Sequence, residues 1–354
     1  MSGEGRSGKK KKKNRGRKKQ AEYRVLFTAL LALTIALVLF ALCVGQYSVS
    51  ALDVIRIFVS RVRSIPVTWD VQAENVVLNL RLPRVIGALL VGAALSVSGS
   101  VYQGVFKNPL VAPDLLGVTS GACVGAAAAI LIHMNSWGIQ IFAFLAGILA
   151  VSVTLLIPKL LKNTNITMLV LSGIIVKGIM DSILGLMKYV ADPETELQSI
   201  TYWQLGSLTK VLPSDLMAVT PVILAGMTVI LLLRWRINIL SLGDREARSL
   251  GVSVKKMRNV LITCATLLTA SAVCLCGTIG WVGLVIPHLS RILTGPDNKK
   301  SIPVTILLGA SFMVVIDTLA RAMTSMEIPL GILTGLIGAP FYIIVLLRQR
   351  MKLS

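Results

Sequence analysis

Two pairs of opposite charge, Lys177 with Asp181 and Asp317 with Arg321, stand four residues apart inside apolar stretches of this 354-residue chain. On a helix that spacing puts both members on one face. There they can neutralise each other, or the carboxylates can carry protons or sodium through a membrane. Groups for covalent chemistry are missing from the sequence. It contains no Gly-x-x-x-x-Gly-Lys-Ser/Thr phosphate loop and no His-Glu-x-x-His, and its two histidines, His133 and His288, are far apart. Cys43, Cys123, Cys264, Cys274 and Cys276 all fall in or beside apolar runs, where a thiol behaves as a small hydrophobe and no disulfide framework is indicated. The expectation is a chain with no catalytic residue, no bound metal and no cofactor, in which His288 serves packing.

The elements that must position the charges are membrane helices. Hydrophobic residues make up 55% of the chain and charged residues 15%. They fall in runs of about 18 to 23 residues, the length that crosses roughly 30 Å of hydrocarbon. Aromatic content is low and the runs lack the alternation of a β-barrel. Spans are expected near 25–45, 85–106, 115–133, 139–158, 166–187, 216–233, 301–320 and 330–347, with one long apolar region at 259–290. Charge decides how often that region crosses. As one span it would leave Arg291, Lys299, Lys300, Arg348, Arg350 and Lys352 outside, against the positive-inside rule. A break near Gly277 and Gly280 returns all six to the cytoplasm and gives about ten transmembrane helices with both termini cytoplasmic. The inner segments then hold 27 basic residues and the outer ones eight, with Lys177 in mid-span.

Of the 36 basic residues, 11 lie in residues 1–24. This tail reads as a disordered topology determinant held at the anionic inner leaflet, not as a nucleic-acid arm. Residues 25–354 form the transmembrane domain, and the first apolar run reads as a retained helix in place of a signal peptide. A charged segment at about 240–254, Leu242-Gly243-Asp244-Arg245-Glu246-Ala247-Arg248-Ser249-Leu250-Gly251, reads as a short cytoplasmic helix between glycines.

Four blocks in order carry a family resemblance. They are Arg81-Leu82-Pro83-Arg84 continuing through Tyr102-Gln103-Gly104 to Lys107-Asn108-Pro109-Leu110-Val111-Ala112-Pro113-Asp114-Leu115-Leu116-Gly117; the inner segment just quoted; Gly277 to Arg291; and Glu327-Ile328-Pro329-Leu330-Gly331 to Phe341. Together they resemble the FecCD-type permeases of ABC importers for iron-siderophore, haem and cobalamin, over about residues 25–348.

The resemblance implies an all-α polytopic membrane protein with the type II ABC importer permease fold, in a prokaryotic plasma membrane. It implies a second permease subunit, identical or paralogous, two cytoplasmic ATP-binding subunits and an extracytoplasmic substrate-binding protein, with no nucleic acid. Gly243, Asp244, Ala247, Leu250 and Gly251 inherit the role of the ATPase-coupling helix. Arg81, Arg84 and Arg321 inherit docking to acidic residues of the binding protein, a contact that a planar guanidinium suits. Asn108, Pro109 and Leu110 with Asn163, Thr164 and Asn165 inherit the cytoplasmic gate. The implied function is alternating-access import of a metal chelate, ferric siderophore before haem or cobalamin. A carrier driven by an ion gradient through Lys177, Asp181 or Asp317 is the alternative.

Overall fold

A computed structural model describes residues 4–163, 165–324 and 327–350. It is helical throughout, with no strand among the described residues. Helix α1, Glu4–Cys43, is followed by the outer helix α2, Ala51–Ser60. Helix α3, Val71–Asn75, runs through a π-helical segment, Val76–Arg81, into α4, Leu82–Phe106. After a 3-10 turn at Pro113–Leu116 come α5, Val118–Leu131, α6, Ser136–Leu160, and α7, Ile166–Val190. The outer helix α8, Glu196–Leu205, precedes α9, Pro213–Leu242, and the short α10, Asp244–Ser249. Helices α11, Val254–Cys276, α12, Val282–Thr294, α13, Asn298–Ala322, and α14, Leu330–Arg350, complete the chain.

Seven helices among the described residues are long and apolar enough to cross a membrane, and α5, α12 and the apolar part of α14 are shorter. The long apolar region is indeed interrupted, since α11 ends at Cys276 and α12 begins at Val282. The basic tail differs from expectation. From Glu4 onward it is helical and continuous with the first span. Lysine and arginine are good helix formers, and extending a helix that is already nucleated costs little.

Helix α4 is the centre of the bundle, packed against α9, α11, α12 and α13. Its buried face is built from Gly92, Ala93, Ala94, Ser96, Ser98, Gly99 and Ser100. Small residues let backbones approach closely where lipid supplies no hydrophobic drive. Two of the serines and a tyrosine bond across helices: the Ser98 hydroxyl meets Thr269 at 2.7 Å, Ser100 meets Thr305 at 3.4 Å and Tyr102 meets Thr266 at 2.9 Å. At Gly99 any Cβ would overlap the carbonyl of Gly283 in α12. Because that contact is backbone to backbone, Gly99→Val is expected to cost about 3 kcal/mol, the upper end for overpacking. Its measure is early loss of the monodisperse species on heating in detergent.

The same contact fixes where the short helices start. Helix α12 begins beside Leu95 and Gly99, midway along α4, and Pro113 of the 3-10 turn packs on Gly283. The Val118 carbonyl at the start of α5 likewise faces Gly147, midway along α6. Two irregular segments, 107–117 and 277–281, thus lead into helices that start midway along a neighbour. Non-helical backbone is tolerated there only when it is covered by protein or lines a wet cavity.

Candidate functional site

At the outer end the three arginines of the docking expectation do converge, but all are buried, at 5%, 7% and 6% exposure for Arg81, Arg84 and Arg321. Arg84 Nε donates to Asp317 at 2.6 Å, and its terminal nitrogens pair with Glu327 at 2.8 Å. Arg81 donates to the carbonyls of Leu42 at 2.7 Å and Cys43 at 3.0 Å, and also to that of Tyr47. Arg321 donates to the Ala41 carbonyl and stands 3.5 Å from Asp317. The expected Asp317–Arg321 pair is therefore the looser of two, because Arg84 takes the same carboxylate more closely. These guanidiniums tie α1, α4 and α13 together, and none projects freely from the surface. Glu327 is the cluster's most open member, and Thr209 donates to it at 2.7 Å. Partial burial works against its ionisation, but its hydrogen bond and charge contact with Arg84 outweigh this and hold it below the usual glutamate range.

At the inner end Asp244 opens α10 and binds two cations, Arg258 at 3.1 Å and Lys107 at 3.4 Å. This joins the short helix to α11 and to the left-handed residue that ends α4. Ala247 is fully buried, whereas Leu242 and Leu250 are 65% and 59% exposed on either side of it. Gly251 closes the helix at φ +75°, donating to the Arg248 carbonyl, which a β-carbon would disfavour. Gly243 precedes α10 at φ +142°. Partial burial opposes ionisation of Asp244, but Arg258 and then Lys107 hold its carboxyl below the ordinary aspartate range. A depressed carboxyl stabilises the folded loop above its unfolded value near 3.9, and that stability is lost as pH falls through the lower folded value. Hydrogen exchange at residues 244–252, corrected for intrinsic rates, is accordingly expected to stay constant from about pH 5 to 8 and to rise only below about pH 4.

The residues expected at the gate follow the C-terminal ends of α4 and α6. Asn108 Oδ1 accepts from the Leu110 amide at 2.9 Å, and Asn108, Pro109 and Leu110 are exposed. Asn163 and Asn165 are exposed as well, with the Asn165 amide 3.4 Å from Asn163 Oδ1. Thr164 lies outside the described residues. No hydrogen bond among the described residues joins the two segments.

Between the ends, Lys177 does not pair with Asp181. Its Nζ instead meets Asp114 at 3.2 Å. The helical spacing suggested the local partner, but the 3-10 turn packed on α7 brings Asp114 to the same lysine. A further link that sequence spacing cannot reveal is Gln103. It is buried in α4, accepts from Arg291 and directs its amide nitrogen to the Gly283 and Leu284 carbonyls, both at 3.4 Å. His288 is buried edge-on against Tyr342, in keeping with packing. All five cysteines are free thiols.

A sequence model described as the FecCD transport family matches residues 33–348. The chain is 38% identical over 320 residues to "Molybdate import system permease protein MolB" of Haemophilus influenzae, covering 90% of this chain and 94% of that one. It is 41% identical over 275 residues to "Probable iron chelatin transport system permease protein" of Helicobacter pylori, covering 78% of this chain and 83% of that one. Among solved structures it resembles "An inward-facing conformation of a putative metal-chelate type ABC transporter", with TM-score 0.83 and 35% identity over 92% of this chain and 99% of that one.

Proposed function

The chain belongs to the FecCD transport family, and from that premise we propose that it conducts a metal chelate inward by alternating access, driven by ATP hydrolysed on partner subunits. At the coarser level it is an ABC permease subunit and a multi-pass inner-membrane protein, not a catalytic enzyme. The single observation that supports the finer reading is the inner loop. A short rigid helix is braced by Asp244 on Lys107 and Arg258, and it presents two leucines, Leu242 and Leu250, to the aqueous side. In this reading the two leucines are the apolar part of the ATPase contact, and the braced helix passes motion from that contact into the bundle.

In this reading ten helices cross the membrane, with α5 and α12 each starting at mid-depth, and both termini are cytoplasmic. Two copies of the chain, or one with a paralogue, enclose the passage. Two cytoplasmic ATP-binding subunits sit against the inner loops, and an extracytoplasmic binding protein delivers cargo. Gly243, Asp244, Ala247, Leu250 and Gly251 form the coupling element. Asn108, Pro109, Leu110, Asn163 and Asn165 rim the cytoplasmic mouth. The outer arginines dock the binding protein indirectly, because its acidic groups must first displace Glu327 from Arg84. Ferric siderophore heads the cargo class, and the molybdate relative extends it to metal oxyanions. The gradient-driven alternative loses one of its carriers here, since Asp317 is held by Arg84 and Arg321.

A single cysteine placed at Leu250 tests the assignment. With the ATPase subunit from the same importer, it is expected to form a disulfide-length cross-link to that subunit, whereas a cysteine at the outer residue Lys210 forms none. Equal absence of cross-links at both positions overturns the coupling role.

A further inference from the structure

A cavity of about 430 Å³ opens between α5, α7 and the end of α8, lined among others by Asp114, Thr119, Ser120, Lys177, Asp181 and Lys188. Lys177, Asp181 and Lys188 lie four and seven residues apart, on one face of a helix whose other exposed residues include Ile174, Ile175, Ile179 and Leu186. Two ammonium groups and a carboxylate on a spanning helix cannot face hydrocarbon, so this face borders water.

The contacts inside the cavity are incomplete in a specific way. The Lys177–Asp114 bridge is 3.2 Å long with both side chains more than two-fifths exposed, which makes it a wet and exchangeable pair. Lys188 donates to Gln204 Oε1 at 2.5 Å and meets no carboxylate among the described residues. Asp181 makes neither a hydrogen bond nor an ion pair among the described residues. Asp114 belongs to the turn that follows the inner-mouth segment 108–110, and that turn packs on α7.

We infer that this cavity is a cargo station in which Lys177 and Lys188 receive anionic oxygen, as carboxylate, catecholate or oxyanion, and Asp114 is the internal competitor that reclaims Lys177. Asp181 keeps the station electrically balanced, so the anion is held weakly enough to leave, which conduction requires. Movement of the turn bearing Asp114 would then couple release to the inner mouth. The inference rests on the permease reading for what the cargo is, but its test does not depend on transport.

The test uses the full chain assembled with its ATPase subunits in lipid discs, with Gly185→Cys as reporter in a chain whose five native cysteines are replaced by alanine. Gly185 lines the cavity, and an added β-carbon there meets nothing within 4 Å. Rates are measured for a sulfonate-bearing and a trimethylammonium-bearing methanethiosulfonate reagent. Asp114→Asn is expected to raise the sulfonate-to-ammonium rate ratio by up to about 25-fold, because one charge at close range in water changes the rate of each reagent about fivefold and in opposite senses. Asp181→Asn should raise it too, while Lys177→Met lowers it. Protection by molybdate against protection by ferric citrate separates a compact oxyanion from a carboxylate chelate. No labelling by either reagent, or a ratio indifferent to Lys177 and Asp114, overturns the inference. If the cysteine-free chain does not assemble, the native cysteines are kept and their background is subtracted using the Gly185 parent, since four of the five are buried. Failure of binding-protein-dependent uptake with these ratios intact would sink the permease reading and leave the station standing.

Discussion

Arg84→Ala will cost the folded protein about 3–5 kcal/mol, the scale for removing one partner of a buried ion pair. The side chain of Asp317 is 1% exposed and that of Arg84 is 9% exposed, so removing the guanidinium leaves a carboxylate with no access to water. Arg321 is too far, at 3.5 Å, and too committed to the Ala41 carbonyl to replace it fully. Glu327 also loses its ion-pair partner and keeps only the hydrogen bond from Thr209. The double variant Arg84→Met with Asp317→Leu removes both charges and should recover most of the loss, because the penalty lies in the orphaned charge. Thermal unfolding of the detergent-solubilised protein, followed by loss of the monodisperse species, measures both. If the double variant is no more stable than the single, the arginine contributes mainly through packing.

Asp244→Lys will reduce ATP hydrolysis stimulated by the binding protein roughly tenfold or more, equivalent to about 1.4 kcal/mol on the coupled step. The substitution replaces an anion shared by Arg258 and Lys107 with a third cation, so α10 loses its brace to both α11 and the end of α4. The two exposed leucines remain, so the ATPase can still bind, but its closure no longer moves the bundle. Asp244→Asn keeps hydrogen bonding and should fall between the two. Turnover in lipid discs with the partner subunits decides it, and stimulated turnover unchanged in Asp244→Lys would show that the brace carries no motion.

How much of this was legible in the sequence depends on the range of the interaction. Long apolar helices were legible because hydrocarbon demands apolar runs, and the break at 277–281 was legible because an uninterrupted region would put six downstream cations on the side that the positive-inside rule disfavours. The start of α12 midway along α4 was not, because it depends on Gly99 and Gly283 meeting across 184 residues. Nor was the helical form of the basic tail, where composition argued for disorder while the attached span continued the helix.

The same division holds at the site. The family resemblance grouped Arg81, Arg84 and Arg321, yet nothing in their spacing showed that Asp317, Glu327 and the carbonyls at the end of α1 would enclose them. Helical spacing offered Lys177 the neighbour Asp181, while the fold supplied Asp114 from a turn 63 residues earlier. Asp114 and Glu327 both lie within the recognised blocks, and each is the one acidic residue of its block, which was the available signal.

The most direct measurement is uptake of ferric citrate and molybdate into proteoliposomes holding this chain, its ATPase subunits and its binding protein. The account predicts accumulation that requires enclosed ATP and the binding protein and is indifferent to collapse of the proton gradient by an uncoupler. Uptake that proceeds without ATP or ATPase subunits and stops on addition of the uncoupler would contradict it and establish the gradient-driven carrier.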